Sequence, residues 1–299
     1  MGNGAPTDMP RTRALPTPTR VSPKATGSRP DRSPATIEDL AAGVVMLTRA
    51  ITETVEIDGR RMEVWLKPRR RGRTMPKQEQ HVGTGFLVAT DRDTCLVTAA
   101  HVAKEMDADA CISLARRGGR RASLRLRELT GTGSKRLRWV RVGHADLAVL
   151  RLREAPPTLG RHVLPARLLE GPAAPSRDLA LVTMGFPLGL CSETRFVAIA
   201  MWAHAASGIM QLRGSGMRGP ADFFLLDHPG IGGVSGGPVF VAPQARVDES
   251  GAVTVIGPRC AGLLSQTLSD DKGAQFGLVT PSPIIRRAIA AAVKRRSGT

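Results

Sequence analysis

From Gly43 onward the chain is built of short apolar runs broken by Gly, Pro and Asp, and the breaks come too often for long helices. GVVMLT (43–48), GTGFLVAT (83–90), TCLVTAA (94–100) and DLAVLRL (146–152) read as strands, the second and third joined by Asp91-Arg92-Asp93. Thr52–Ile57 and Arg61–Leu66 flank Asp58-Gly59, a two-residue hairpin signal. A short helix is predicted from His101 to Met106. CISLAR (110–116 region), SLRLREL (123–129) and LRWVRV (137–142) alternate apolar and basic residues with period two, as an antiparallel sheet with one wet face does.

A first sheet unit thus spans about 37–155, and Gly171–Arg177, with Pro172 and Pro175, reads as a linker. Beyond it the pattern resumes in LALVTMGFP (179–187), TRFVAIAMWAH (194–204), DFFLLD (222–227), PVFVA (238–242), AVTVIG (252–257), CAGLLSQ (260–266) and QFGLVT (275–280). The last stretch, 283–296, opens on Pro283 and aligns Ile284, Ile285, Ala288, Ile289 and Val293 on one face, the pattern of an amphipathic helix packed on the body. The expected class is all-β: two antiparallel β-barrels, about 37–160 and 175–280, closed by that C-terminal helix.

Composition changes this picture at the N-terminus. Residues 1–36 hold seven prolines and almost no large apolar side chain, too little to offset chain entropy, so a disordered Pro/Arg-rich tail is expected. The net charge of +17 is not a tail effect, since the tail contributes only +4. A field of that sign attracts anions. The basic loop 67–77 and the Arg-rich run 116–127 are therefore candidate surfaces for an acidic partner, whereas nucleic acid is disfavoured because aromatics for base stacking make up only 3%. Cys95, Cys111, Cys191 and Cys260 are far apart with no CxxC pair, so no metal site and no cofactor are implied, and free, mostly buried thiols are expected. With neither an apolar leader nor a run long enough to span a bilayer, a cytoplasmic location is the expectation.

Five glycines in the fourteen residues 227–240 (DHPGIGGVSGGPVF) crowd one hydroxyl, Ser235. Glycine serves where backbone takes positive φ or approaches another backbone closely, so this turn would present a hydroxyl beside inward-pointing N–H groups. A nucleophilic serine needs a base, and the base an orienting carboxylate. His101 ends the apolar strand LVTAAHV, and Asp146 heads the strand DLAVL.

In that order, TAAHV, DLAVL and GVSGGPV resemble the histidine, aspartate and serine motifs of the trypsin-like, chymotrypsin-fold serine peptidases. GTGFLV, MGFPLG (184–189) and the pairing of CAGLLS with QFGLVTPSPII resemble the bacterial HtrA-type branch. The resemblance covers about residues 40–290 and implies two six-stranded chymotrypsin-like barrels. It implies a serine endopeptidase acting on protein or peptide through an acyl-enzyme. Ser235 would be nucleophile, His101 base, Asp146 its orienter, and the N–H groups of Gly233 and Ser235 the oxyanion hole. Leu263, Leu264 and Ser265 would lie on the strand that pairs with bound peptide. Val234 stands where many secreted members carry an aspartate, which removes activation by a freed N-terminus. Pro229 stands where trypsin has its acidic specificity residue, so a preference for basic side chains is not implied. No PDZ-like segment is expected after the terminal helix. Two other readings share these residues: a latent protease-fold module holding an acidic protein or nucleic acid through its basic loops, and an esterase for small acyl groups.

Overall fold

The computed structural model describes residues 36–294 except 51, 58–59, 66–79, 92, 117, 135, 191–195, 214–216, 248, 271–272 and 274, with backbone alone from 50 to 80. The tail, the Asp58-Gly59 turn and the basic loop 67–77 read from the sequence lie outside the described residues.

A capped single turn, α1 (Ile37–Ala41), begins the body: Thr36 Oγ1 accepts from Asp39 N–H while the Asp39 carboxylate accepts from Thr36 N–H, a reciprocal capping box. The first half then runs β1 (Val44–Ala50), β2 (Thr52–Ile57), β3 (Arg60–Trp65), β4 (Gln80–Ala89), β5 (Thr94–Ala99), α2 (Ala100–Glu105), β6 (Cys111–Ala115), β7 (Arg121–Arg125), α3 (Leu126–Thr130), β8 (Val140–Val142), β9 (Leu147–Leu152) and β10 (Leu164–Pro165). The second half runs β11 (Leu181–Gly185), β12 (Ile199–Ala203), β13 (Met210–Leu212), β14 (Ala221–Leu226), β15 (Pro238–Val241), β16 (Gln244–Val247), β17 (Val253–Ile256), β18 (Arg259–Ser269), β19 (Gln275–Pro281) and α4 (Ser282–Lys294).

These strands form two large sheets, as an all-β chain of two halves requires. The first has the order β7-β6-β1-β4-β5-β9-β8 with β10 added in parallel beside the end of β4; the second has the order β12-β11-β15-β18-β19-β14-β13. The expectation of six strands per barrel is corrected here: the sheets hold eight and seven strands, and neither closes among the described residues. The cause lies at the edges. The chain leaves β7 into α3 instead of crossing to β8, which itself is only three residues long, as is β13. Short edges limit the unpaired backbone a sheet exposes.

The segment 123–129, read as a strand, divides between β7 and α3. Leu126 and Leu129 are both buried at a helical spacing of three, and Gly131 ends the turn in the left-handed region at φ 62. Only the last three residues of LRWVRV form a strand.

Helix α4 covers the body with Ile284, Ile285, Ala288 and Ile289 buried, as its sequence pattern predicted; Ala292 is buried as well, and Val293 only partly. Burial of each large aliphatic side chain stabilises by roughly 1.5–3 kcal/mol. The largest apolar cluster runs through both halves, from Leu47 and Phe86 to Met184, Phe240, Leu263 and Ile285. It fixes the two sheets against each other, and the candidate site lies where they meet. Cys95, Cys111 and Cys260 are free thiols. Burial pushes Cys95 and Cys260 up to about 12, so both are unreactive core residues. Among the described residues no helix is long and apolar enough to cross a membrane.

A buried histidine ties the start of the body to its first half. His162, 3% exposed, contacts Ala42 O through Nδ1 at 2.8 Å and receives Arg161 Nε–H at Nε2 at 2.9 Å. Arginine only donates, so Nε2 accepts and the proton sits on Nδ1. Burial, with the Arg161 charge as a lesser cause, holds the ring's pKa below its ordinary value of 6.5. The unfolded chain takes up this proton first as pH falls, so stability is complete above the unfolded value and declines as pH drops from there toward the native one. Thermal melts of the wild type across that window should show the decline, and His162→Gln should flatten it.

Candidate active site

Asp146 is placed by an unusual backbone. It follows the 3-10 turn Gly143–Ala145 and adopts φ 45, ψ 46, a left-handed conformation that costs a non-glycine residue on the order of 1 kcal/mol. That conformation lets one residue close the start of α2 twice: Asp146 O accepts from Ala100 N–H at 2.9 Å, and Oδ1 accepts from His101 N–H at 2.9 Å. Ala99, which precedes the helix, has no side chain to cap it. The second carboxylate oxygen, Oδ2, lies 2.8 Å from His101 Nδ1 and accepts Ser265 Oγ–H at 2.7 Å.

The environment sets roles. Asp146 is 5% exposed, whereas the His101 side chain is 46% exposed. A carboxylate that only accepts fixes the proton on His101 Nδ1 and leaves Nε2, on the open side of the ring, able to accept one. The fold contains another histidine–aspartate contact, His204 to Asp227 at 3.4 Å. Both of those side chains are about half exposed and the distance is long, so solvent competes with the contact. Burial of the carboxylate distinguishes the His101 pair.

Ser235 sits in a turn that is held at almost every residue. Val234 N–H donates to Ile231 O (3.0 Å), Gly236 N–H to Leu264 O (2.8 Å), Gly237 N–H to Val234 O (2.8 Å) and Leu264 N–H to Gly237 O (2.9 Å). Val234, at the position where an acidic residue would need a charged partner, is fully buried in the second apolar cluster. Two glycines are demanded by space as well as by φ. At Gly236 (φ +88) a Cβ would stand 2.2 Å from Thr84 O, and at Gly233 (φ +94) 2.5 Å from Phe186 O. The close approach at Gly236 also brings the turn against Ala99 N, two residues before His101.

The two donors on either side of Val234 stay uncommitted. Among the described residues neither Gly233 N–H nor Ser235 N–H has a hydrogen-bond acceptor. The Gly232 carbonyl accepts from Leu188 N–H at 2.6 Å. In a trans peptide the C=O and N–H point opposite ways, so this bond turns Gly233 N–H away from the Leu188 loop.

The sequence-selected residues are thus brought together unequally. His101 and Asp146 touch, and Gly233 and Ser235 share one turn. Ser235 Oγ forms no hydrogen bond to His101 among the described residues. Leu263 and Leu264 are core residues, 0% and 3% exposed, and the Leu264 backbone is used to hold the serine turn. β15 pairs with β18 only as far as Leu263, so the side of β18 without a strand neighbour begins just beyond. Ser265 is fully buried, and a register shift between Leu264 and Gln266 aims its hydroxyl inward at Asp146. Sequence reasoning missed this use of Ser265, because a bulge in one strand carries no residue signature. It also missed Thr84, although a lone hydroxyl between two glycines in GTGF was a visible signal.

In the Arg-rich run, part of the charge is spent inside the protein. Arg121 lies 5.7 Å over the Phe196 ring and donates to Ser113 Oγ, and Arg127 pairs with Asp109.

The trypsin-like peptidase domain, as a family profile, matches residues 83–247, just over half of the chain and a span that includes His101, Asp146 and Ser235. No curated protein sequence matches. Similar solved structures include the HtrA-type protease AlgW with a decapeptide (18% identity, TM-score 0.49, 85% of this chain and 65% of that one). Others are the Rv3671c protease of M. tuberculosis in its active form (16%, 0.48, 93% and 96%) and the MamO protease domain of Magnetospirillum magneticum (13%, 0.47, 83% and 95%). The chain spans less than two thirds of the AlgW structure. On the match of the domain profile across the site just described, the chain belongs to the trypsin-like peptidase family.

Proposed function

We propose that the protein is a serine endopeptidase in which Ser235, His101 and Asp146 act as a triad. The observation that carries this reading is the His101–Asp146 contact at 2.8 Å, with a buried carboxylate, an exposed imidazole and two uncommitted N–H donors around Ser235. Ser235 Oγ adds to the scissile carbonyl carbon as its proton passes to His101 Nε2. The developing oxyanion accepts from Gly233 N–H and Ser235 N–H, each donor being worth roughly 3–4 kcal/mol in such sites. Asp146 stabilises the imidazolium without taking its proton. His101 then protonates the leaving amine, the C–N bond breaks, and water attacks the acyl-Ser235 ester by the same route in reverse.

Peptide bonds, rather than small esters, follow from the strand side of the site: beyond Leu263 the edge of β18 that faces away from β19 has no strand paired to it among the described residues and can add an extended chain. Digestion of an unfolded protein tests this: fragments are expected from the wild type and none from Ser235→Ala. Turnover confined to small acyl esters would favour the esterase reading.

The residues around the serine turn favour small uncharged side chains before the cleaved bond: Thr267 Oγ1 donates to Gly230 O at 3.0 Å, Leu264 Cδ2 is 3.3 Å from where a Cβ on Gly230 would stand, and Pro229 supplies no carboxylate. Peptides with Ala or Val before the cleaved bond should have kcat/KM at least about 10-fold above those with Arg or Lys. Paired fluorogenic peptides measure the ratio, and a preference for Arg would overturn this assignment.

A further inference from the structure

One hydroxyl joins the two segments whose separation fixes Gly233. Thr84, fully buried in β4, donates Oγ1–H to Gly233 O at 2.7 Å and accepts at the same oxygen from Phe186 N–H at 3.1 Å. Its backbone N–H donates to Ser235 O at 3.0 Å, and its carbonyl accepts Thr98 Oγ1–H at 2.7 Å. Thr98 lies in β5, the strand that leads to His101, and Phe186 leads into the loop whose Leu188 N–H holds Gly232 O. The peptide before Gly233 is therefore fixed by Leu188 and the peptide after it by Thr84.

The fit around the hydroxyl is tight. A Cβ at Gly185 would stand 2.8 Å from Thr84 Oγ1, and at Gly237 one would stand 3.3 Å from Thr84 Cγ2. Replacing the hydroxyl by a methyl leaves a buried N–H at Phe186 and deprives Gly233 O of its side-chain donor.

From this bridge we infer that Thr84 is a positioning residue for catalysis: through Oγ1 it locks the 186–190 loop to the serine turn and so sets the direction of Gly233 N–H. The inference rests on the reading of Gly233 as an oxyanion donor, but its structural half stands apart from turnover. Thr84 touches neither His101 nor Asp146 by hydrogen bond, so its effect falls on stabilisation of the tetrahedral intermediate and not on the base.

Thr84→Val keeps the shape and removes the hydroxyl, and Thr84→Ser keeps the hydroxyl. On a peptide substrate, Thr84→Val is expected to lower kcat about 10- to 100-fold with KM within about threefold, and Thr84→Ser to stay within about threefold of wild type. Affinity for a peptide aldehyde, whose adduct places an oxygen at the oxyanion position, should fall in parallel with kcat/KM. The pH–rate profile should keep its midpoint. In 15N-labelled protein the Gly233 amide resonance should shift or broaden in Thr84→Val and return in Thr84→Ser. Thr84→Ala, with the same expected pattern, serves if the valine variant does not fold. Wild-type kcat together with an unmoved Gly233 amide would overturn the inference. Absence of peptide hydrolysis by the wild type would instead remove the endopeptidase reading, and the Gly233 amide would still decide whether Thr84 holds the turn.

Discussion

Ser235→Ala is expected to lower kcat/KM for peptide hydrolysis by at least about 10⁴-fold while the protein stays folded. The loss is large because the attacking atom is gone, and what remains is only the rate that bound water and the two N–H donors of the turn can support. The fold survives because Ser235 is held by its backbone: Ser235 O accepts from Thr84 N–H, and the turn's other bonds run through Val234, Gly236 and Gly237. Ser235 Oγ has no hydrogen-bond partner among the described residues, so the substitution leaves no buried group unpaired. The melting temperature should therefore move by no more than about 2–4 °C, the shift of a change within 1 kcal/mol in a chain of this size. Kinetics and thermal melts on the same preparation check both halves. A loss of activity accompanied by a collapse in melting temperature would mean that the serine is structural.

The second large effect is expected at Asp146→Asn, about 10⁴-fold in kcat/KM. The carboxylate accepts three hydrogen bonds: His101 N–H at Oδ1, and His101 Nδ1–H and Ser265 Oγ–H at Oδ2. An amide has only one accepting atom. With its oxygen toward the His101 backbone, its NH2 group faces Nδ1, which must then accept, and the imidazole proton moves to Nε2. That tautomer cannot take the proton from Ser235. With the amide reversed, NH2 faces the His101 backbone N–H, two donors in contact, and the start of α2 loses its cap. Either arrangement costs the site, the first in chemistry and the second in structure. Kinetic comparison with the wild type, alongside circular dichroism for the fold, measures the effect. A drop of less than about tenfold would show that His101 needs no carboxylate orienter, contrary to the triad.

The serine turn was legible because its geometry writes itself into residue choice. Gly233 and Gly236 occupy positive φ with other backbone inside 2.5 Å of any Cβ, and only glycine satisfies both conditions. His101 and Asp146 lie 45 residues apart, and neither alone stands out. Their order relative to Ser235, together with a small-residue strand end and an acid heading an apolar strand, made the pairing readable.

What was not legible depends on register and tertiary contact. Ser265 reads as one more strand residue; only the shift between Leu264 and Gln266 turns its hydroxyl toward Asp146. Leu126 and Leu129 fit a strand in the sequence but are buried at helical spacing, because the backbone N–H groups of Leu126 and Arg127 are drawn to Ala110 O and Ala108 O. The eighth strand of the first sheet was hidden for a related reason: pairing of the two-residue β10 with β4 is decided by where the chain passes, not by propensity. Thr84 lies between these cases, visible as a residue and invisible as a bridge between loops more than 100 residues away.

Covalent labelling tests whether Ser235 is an activated nucleophile without knowledge of the natural substrate. The wild-type protein is treated with a fluorophosphonate probe, digested and mapped by mass spectrometry, beside Ser235→Ala and Asp146→Asn. A single adduct is expected on Ser235 in the wild type, none in Ser235→Ala and slow labelling in Asp146→Asn. Equal labelling of the wild type and Ser235→Ala, or no adduct on Ser235 in the wild type, would contradict an activated Ser235.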